Sequence, residues 1–317
     1  MTGTWLRRTM MTVACASLTL LAACGSGTIE SALRPTRLVV FGDAMSDVGQ
    51  AGARYTVNDG STSTWIEQLA LHYSITLTPS ATGGLGYARG NARVTTKPDA
   101  AGNAATPTVK EQVDAFLAAN TVGPNDLLVL HAGVSDMVAE MAAVTAGTQT
   151  EAQMVANVQQ AGRDLGDQAI RLVTAGAKYV VVVNAYNVGR SPWATAINKA
   201  SLLADANGKF NDAMKIKVEP YGTTMLYIDA AYYFNLVIAN PGGYALTDTT
   251  KLSCTSVDAG NGIGTGAGQV NSLLCNTGTI AAGLDYSKQA FADSLYFTPV
   301  VNRLFGTHVF DKIRSRW

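Results

Sequence analysis

Three features of the sequence predict an α/β domain with a mainly parallel sheet covered by helices on both faces. Continuous β-branched and apolar runs recur along the chain, as strands buried on both faces require. Long amphipathic segments alternate with those runs, the arrangement of stacked strand and helix layers. Glycine-containing corners follow the first two runs at Gly42 and Gly133, where open α/β sheets place their chemistry. One domain is read over residues 36–317.

Residues 37–41 make the first strand, and the helix after it is interrupted early. Residues 61–73 carry Trp65, Ile66, Leu69, Ala70 and Tyr73 at helical spacing, with a start near Thr62-Ser63. Residues 83–93 form a glycine-rich connection. A helix over 108–119 places Val109, Val113, Phe116 and Leu117 on one side, and residues 126–131 are a second apolar strand. A long helix over 150–175 stops at Gly176. A strand over 178–184, a helix over 200–218 and a strand over 224–229 follow. The chain closes with a helix over 300–313 that turns Leu304, Phe305, Val309 and Ile313 inward.

The 317 residues are 47% hydrophobic and 15% charged, with 23 basic and 23 acidic side chains, a globular composition that argues against a nucleic-acid surface or a polybasic membrane patch. Arg7 and Arg8 precede an apolar stretch over 10–21, too short to span a bilayer comfortably. Leu21-Ala22-Ala23-Cys24-Gly25 then resembles the lipobox of bacterial lipoprotein signal peptides, whose Cys becomes the lipidated first residue. The expectation is a signal over 1–23, lipid on Cys24, a tether over 24–35 and, from Gly25, the outer membrane of a bacterial envelope. An ordinary secretory signal or a short membrane anchor is the alternative. Cys254 and Cys275 remain as an even pair around a polar loop, and export to an oxidising compartment allows them to bridge. No His or Cys-x-x-Cys spacing accompanies them, which argues against a metal site, and no cofactor motif is present.

Val39-Val40-Phe41-Gly42-Asp43-Ala44-Met45-Ser46-Asp47-Val48-Gly49 resembles the first block of the GDSL (SGNH) esterase/lipase family, Phe-Gly-Asp-Ser-Leu-Ser-Asp-x-Gly. Gly86-Tyr87-Ala88-Arg89-Gly90-Asn91-Ala92-Arg93 resembles the second block, with the oxyanion-hole Gly on Gly90. Gly133-Val134-Ser135-Asp136 is similar to Gly-x-Asn-Asp, and Asn187-Val188-Gly189-Arg190-Ser191-Pro192 to Leu-Gly-Arg-Thr-Pro. Asn240-Pro241 through Tyr244 to Cys254 is similar to a stretch of autotransporter-type esterases, and Ala292 to Pro299 resembles Ala-Asp-x-x-His-Pro-Thr-Pro. The resemblance implies a flavodoxin-like α/β/α three-layer sandwich. It puts the nucleophilic Ser on Ala44, the oxyanion Asn on Ser135 and the catalytic His on Tyr296, while Asp293 keeps the acid.

Acyl transfer needs a nucleophile, a base, a group that orients the base, and oxyanion donors. A methyl group cannot attack an ester, and a phenol with a reference pKa of ~10 is a poor base near neutrality. The resemblance therefore implies a lipid-anchored, catalytically degenerate esterase relative that keeps a cleft for an acyl-ester, lipid or glycan ligand. An active esterase using Ser46 with His131, or a structural lipoprotein without ligand, are the alternatives. Ser46 also fits a capping role, and His131 a structural one at a strand end. His72 and His308 lie in helices. Asp43 and Asp136 stand beside turns as caps or, alternatively, metal ligands. Arg89 and Arg93 meet an anion or brace their loop, and Trp65 and Tyr87 read as packing residues. The glycines over 260–268 lack the Lys and preceding strand of a phosphate loop.

Overall fold

The apolar runs over 38–42, 126–131 and 180–183 are buried on both faces and the run over 225–228 in part, so their backbone groups find partners in a like neighbour. In the computed structural model, which describes Ser31 and residues 33–317, the runs become β1 (Arg37–Gly42), β2 (Asp126–His131), β3 (Tyr179–Val183) and β4 (Met225–Ile228), in the spatial order β1-β2-β3-β4. All pairings are parallel, and the register sets Gly42 beside His131, His131 beside Val183 and Val183 beside Ile228. The turns that follow these four residues therefore leave from one edge of the sheet.

The glycine-rich connection contributes to the sheet as well. Val40 N–H donates to Leu85 O at 3.0 Å and Tyr87 N–H donates to Val40 O at 2.7 Å, which lays this segment parallel along the outer edge of β1. With it the spatial order puts the second extended segment outside the first, as in a flavodoxin-like sheet.

Helices cover both faces. Helix α1 (Trp65–His72) packs on the C-terminal α8 (Pro299–Arg316), with the Trp65 and Phe305 rings 5.3 Å apart. On the other side lie α2 (Val109–Ala119), α3 (Val134–Thr145), α4 (Glu151–Thr174) and α6 (Ala200–Val218), the last two in extensive contact. Two short helices complete the set among the described residues: α5 (Pro192–Ala196) and α7 (Ala230–Ala239). The α1 start lies at Thr64 rather than Thr62-Ser63, because Thr64 and Glu67 form a reciprocal capping box. Helices α3, α5 and α7 were not read from the sequence.

Leu33 is 1% exposed and joins the core, so the core takes in a residue before the expected boundary at 36. The expected signal, and Cys24 with it, lies outside the described residues.

A small second sheet pairs β5 (Asp248–Leu252) with β6 (Gln289–Phe291) in parallel. Cys254, just past β5, is bonded to Cys275 with 5.8 Å between Cα atoms, as the even pair predicts. The bridge spans 21 residues, and a closed loop of that length removes about 3 kcal/mol of chain entropy from the unfolded state. Replacing both cysteines with Ser is expected to lower stability by ~3 kcal/mol, read as a fall in the denaturant midpoint. An unchanged midpoint would show that the bridge constrains nothing.

Candidate active site

Gly42 ends β1 at a φ of +151°, and a Cβ there would stand 2.0 Å from the His131 carbonyl oxygen. Only glycine lets the chain turn while β1 and β2 hold register. Asp43 follows, wholly buried. Its Oδ2 accepts from the N–H groups of Gly133 (3.1 Å), Val134 (3.2 Å) and Ser135 (3.5 Å), and its Oδ1 from Met45 N–H (3.3 Å). Three of these are the donors at the start of α3 that no intrahelical partner can satisfy, at the end of the dipole that favours negative charge. Burial pushes the Asp43 carboxyl up to about 7 against the pull of those donors. Asp43 thus acts as a cap that joins the first corner to the second.

Ala44 and Ser46 lie in the single turn of 3₁₀ helix after Asp43. Ser46 Oγ sits 3.2 Å from His131 Nδ1 and accepts from Trp65 Nε1 at 3.2 Å. With Trp65 donating to one of its lone pairs, the Ser46 hydroxyl keeps a hydrogen and a second lone pair, so it pairs with either tautomer of the ring. His131 Nε2 is buried without a hydrogen-bond partner, and burial lowers the ring's pKa to about 3. The structure therefore does bring Ser46 and His131 together. Both are 0% exposed, and among the described residues no carboxylate meets the second ring nitrogen.

The other side of the corner is formed by the second block and the turn after β6. Asp47 Oδ2 accepts Gly90 N–H at 2.8 Å, so the hydrogen expected to serve an oxyanion is already bonded. A Cβ on Gly90 would stand 1.9 Å from the Tyr55 hydroxyl, which shows how tightly that ring lies on the glycine. Tyr55 meets Tyr296 edge-on at 5.3 Å. Asp293 Oδ2 accepts from Ser272 N–H (2.9 Å), and its Oδ1 from Leu295 (2.8 Å) and Tyr296 (2.7 Å) N–H groups. Burial raises the Asp293 pKa while these donors lower it. The Tyr296 hydroxyl is held well above its ordinary pKa by burial first, then by the Asp43 and Asp293 carboxylates.

These contacts correct one expectation. Ala44, His131, Ser135, Asp293 and Tyr296 are each at most 1% exposed, so the corner expected to keep a ligand cleft is filled. Ser135 Oγ is itself buried without a partner. Sequence reading missed Tyr55, whose loop has no periodicity, and it missed Asp47 as the partner of Gly90.

The remaining candidates take structural places. Asp136 accepts Val94 N–H at 3.1 Å and pairs with Arg93, which also binds Glu140. Burial pushes Asp136 up to about 6, and Arg93 opposes that shift. Arg93 is thereby a brace. Arg89 reaches Gln50 Oε1 at 3.4 Å. Trp65 is fully buried and Tyr87 stacks on Phe41 at 5.6 Å. His72 stacks on Phe310, and His308 lies tilted against Tyr233.

The chain is similar to known proteins in three comparisons. The sequence profile of GDSL-like Lipase/Acylhydrolase matches residues 38–309. The phosphatidylcholine-sterol acyltransferase of Aeromonas hydrophila is 25% identical over 229 residues, which cover 68% of this chain and 64% of that protein. This chain thus spans somewhat less than two thirds of that relative. The native aryl esterase of M. smegmatis superposes with a TM-score of 0.45 at 14% identity, over 89% of this chain and 99% of its own. The profile match runs from within β1 to within α8, and the chain belongs to the GDSL-like lipase/acylhydrolase family.

Proposed function

We propose that this protein is a lipid-anchored cell-envelope member of its family that has lost triad-type ester hydrolysis and acts by binding. Ala44, Ser135 and Tyr296 are, in this reading, substitutions of the Ser, Asn and His, in a chain of the autotransporter-esterase type. The observation that carries the loss of hydrolysis is the filled corner: a methyl group at Ala44, 1% exposed, with Tyr296 and Tyr55 packed where a base and a substrate would need room. Asp293 and Gly90 persist because their bonds to backbone and to Asp47 hold the corner together whether or not it reacts. The relative named for phosphatidylcholine-sterol acyl transfer supports a lipid or acyl-ester surface as the ancestral setting. The anchor rests on the lipobox-like stretch ending at Cys24, and with it the outer membrane as location.

The second reading, an esterase using Ser46 and His131, is favoured by their 3.2 Å contact. Burial counts against it, because a nucleophile must reach its substrate. One experiment addresses both the anchor and the catalytic reading. Protein isolated from bacterial membranes is treated with a fluorophosphonate and mapped by mass spectrometry. An acyl mass on Cys24 and no adduct on any Ser is the expected result. An adduct on Ser46 would overturn the silent reading, and an unmodified Cys24 would overturn the anchor.

A further inference from the structure

The sheet edge that carries the filled corner also carries an open polar cavity two strands away. It has a volume of about 270 Å³ and lies past the ends of β3 and β4, between α6 and the start of α7. Asparagines dominate its wall: Asn184, Asn187, Asn207, Asn211 and Asn235. Asn184 is fixed by donating to Tyr227 Oη (2.8 Å) and Asp229 Oδ1 (2.9 Å) and by accepting Ala231 N–H (3.0 Å). Asn207 and Asn211 both donate to the Ala185 carbonyl, which leaves each amide a second N–H. Backbone groups hold Asn207 and Asn211 in place, and side chains together with the Ala231 N–H hold Asn184.

The unused hydrogen-bonding capacity identifies the kind of ligand. Asn235 lines the wall with its Oδ1 buried and unpaired, and its amide N–H groups are donors. Tyr227 Oη accepts from Asn184 and keeps its own hydrogen to give. Asp212 at the rim adds acceptors, and Lys215 beside it adds donors. Donors and acceptors thus alternate around one small space, which suits hydroxyl groups because each both donates and accepts. An anion would face two carboxylates, Asp212 and Asp229, against a single Lys215. A simple cation would leave the amide N–H groups unmatched. An acyl chain would strip water from amides and return nothing. The volume falls just below the ~300 Å³ at which larger ligand sites begin, which limits the occupant to about one ring.

We propose that this cavity binds a single saccharide ring. This site uses none of the residues of the filled corner, so it stands or falls apart from the silent-enzyme reading. The probes are D-glucose, D-galactose and N-acetyl-D-glucosamine, with acetate and putrescine as anionic and cationic controls. Binding to the whole protein is read by saturation-transfer NMR and titration calorimetry. At least one sugar is expected to bind with a Kd of about 1 mM, the weak range of a single small ligand. Asn235→Leu, which removes the wall amide and fills space, is expected to weaken it at least about tenfold. Asp212→Ala, at an exposed rim position that leaves the fold intact, is expected to weaken it severalfold. No sugar binding up to ~100 mM, tighter binding of either control, or unchanged affinity in both variants would each overturn the proposal. Ester turnover with sugar binding intact would refute only the silent-enzyme reading.

Discussion

Ala44→Ser combined with Tyr296→His is expected to give the first form of this protein that hydrolyses p-nitrophenyl butyrate, while each single change stays at the buffer rate. Members of a catalytic triad act as a unit, and losing nucleophile or base alone costs ~10⁶ in kcat in subtilisin, the reference case. Ala44→Ser supplies an oxygen with no base, and Tyr296→His a base with nothing to activate. The turn is ready for an imidazole: Asp293 accepts three backbone N–H groups, and a carboxylate with about four lone-pair sites has one left. Two obstacles remain after the double change. Tyr55 lies on Gly90, and Asp47 holds the Gly90 hydrogen. Tyr55→Ala should therefore raise turnover further by opening access, and Ser135→Asn should add ~10²–10³ if its amide reaches the oxyanion. Fluorophosphonate labelling at position 44 is the direct readout. Labelling of the unmodified protein, or a folded quadruple variant that neither labels nor turns over, would sink this account of the corner.

Strands and long helices were legible because their signals are local. Val180 to Val183 are buried on both faces, so a run of valines means the same thing in the sequence and in the fold. Helix α4 carries its own capping box, Thr150 with Gln153, and its limits were readable to a residue. Helix α3 was not, for a physical reason. Gly133 offers it no side-chain cap, and the cap it uses is Asp43, 90 residues earlier for Gly133. The closed corner escaped notice in the same way. Tyr55 is placed by a loop whose Asn58 bonds the Cys275 carbonyl through both its backbone and its side chain, and so by the disulfide loop far along the chain. The identities at Ala44 and Tyr296 could be read from sequence, but the packing that shuts the site could not.

Acidification is expected to cost this protein a large part of the stability that His131 contributes, about 5 kcal/mol in all between pH 6.5 and 3. His131 is wholly buried, and burial lowers its pKa from 6.5 to about 3. The native ring therefore stays neutral where the unfolded ring already binds a proton. Its contribution is complete above pH 6.5 and is lost as pH falls towards 3, at about 1.4 kcal/mol per pH unit. Asp43 and Asp136 work in the other direction. Burial raises them to about 7 and about 6, so the native state takes up their protons first and gains stability as pH falls towards the unfolded value of ~3.9. The net curve of the wild type is thus flattened by opposing groups, and a difference measurement is needed to separate them. His131→Gln keeps a polar partner for Ser46 while removing the titrating ring. The variant is expected to be less stable than wild type at pH 7.5, with the gap shrinking by ~2 kcal/mol between pH 6.5 and 5. Chemical denaturation at each pH supplies the two curves, and the His131 ring resonances should not titrate across that range. Parallel curves, or a ring that titrates near pH 6.5, would mean that the Ser46–His131–Trp65 cluster opens to water, and would return the pair to consideration as a reactive site.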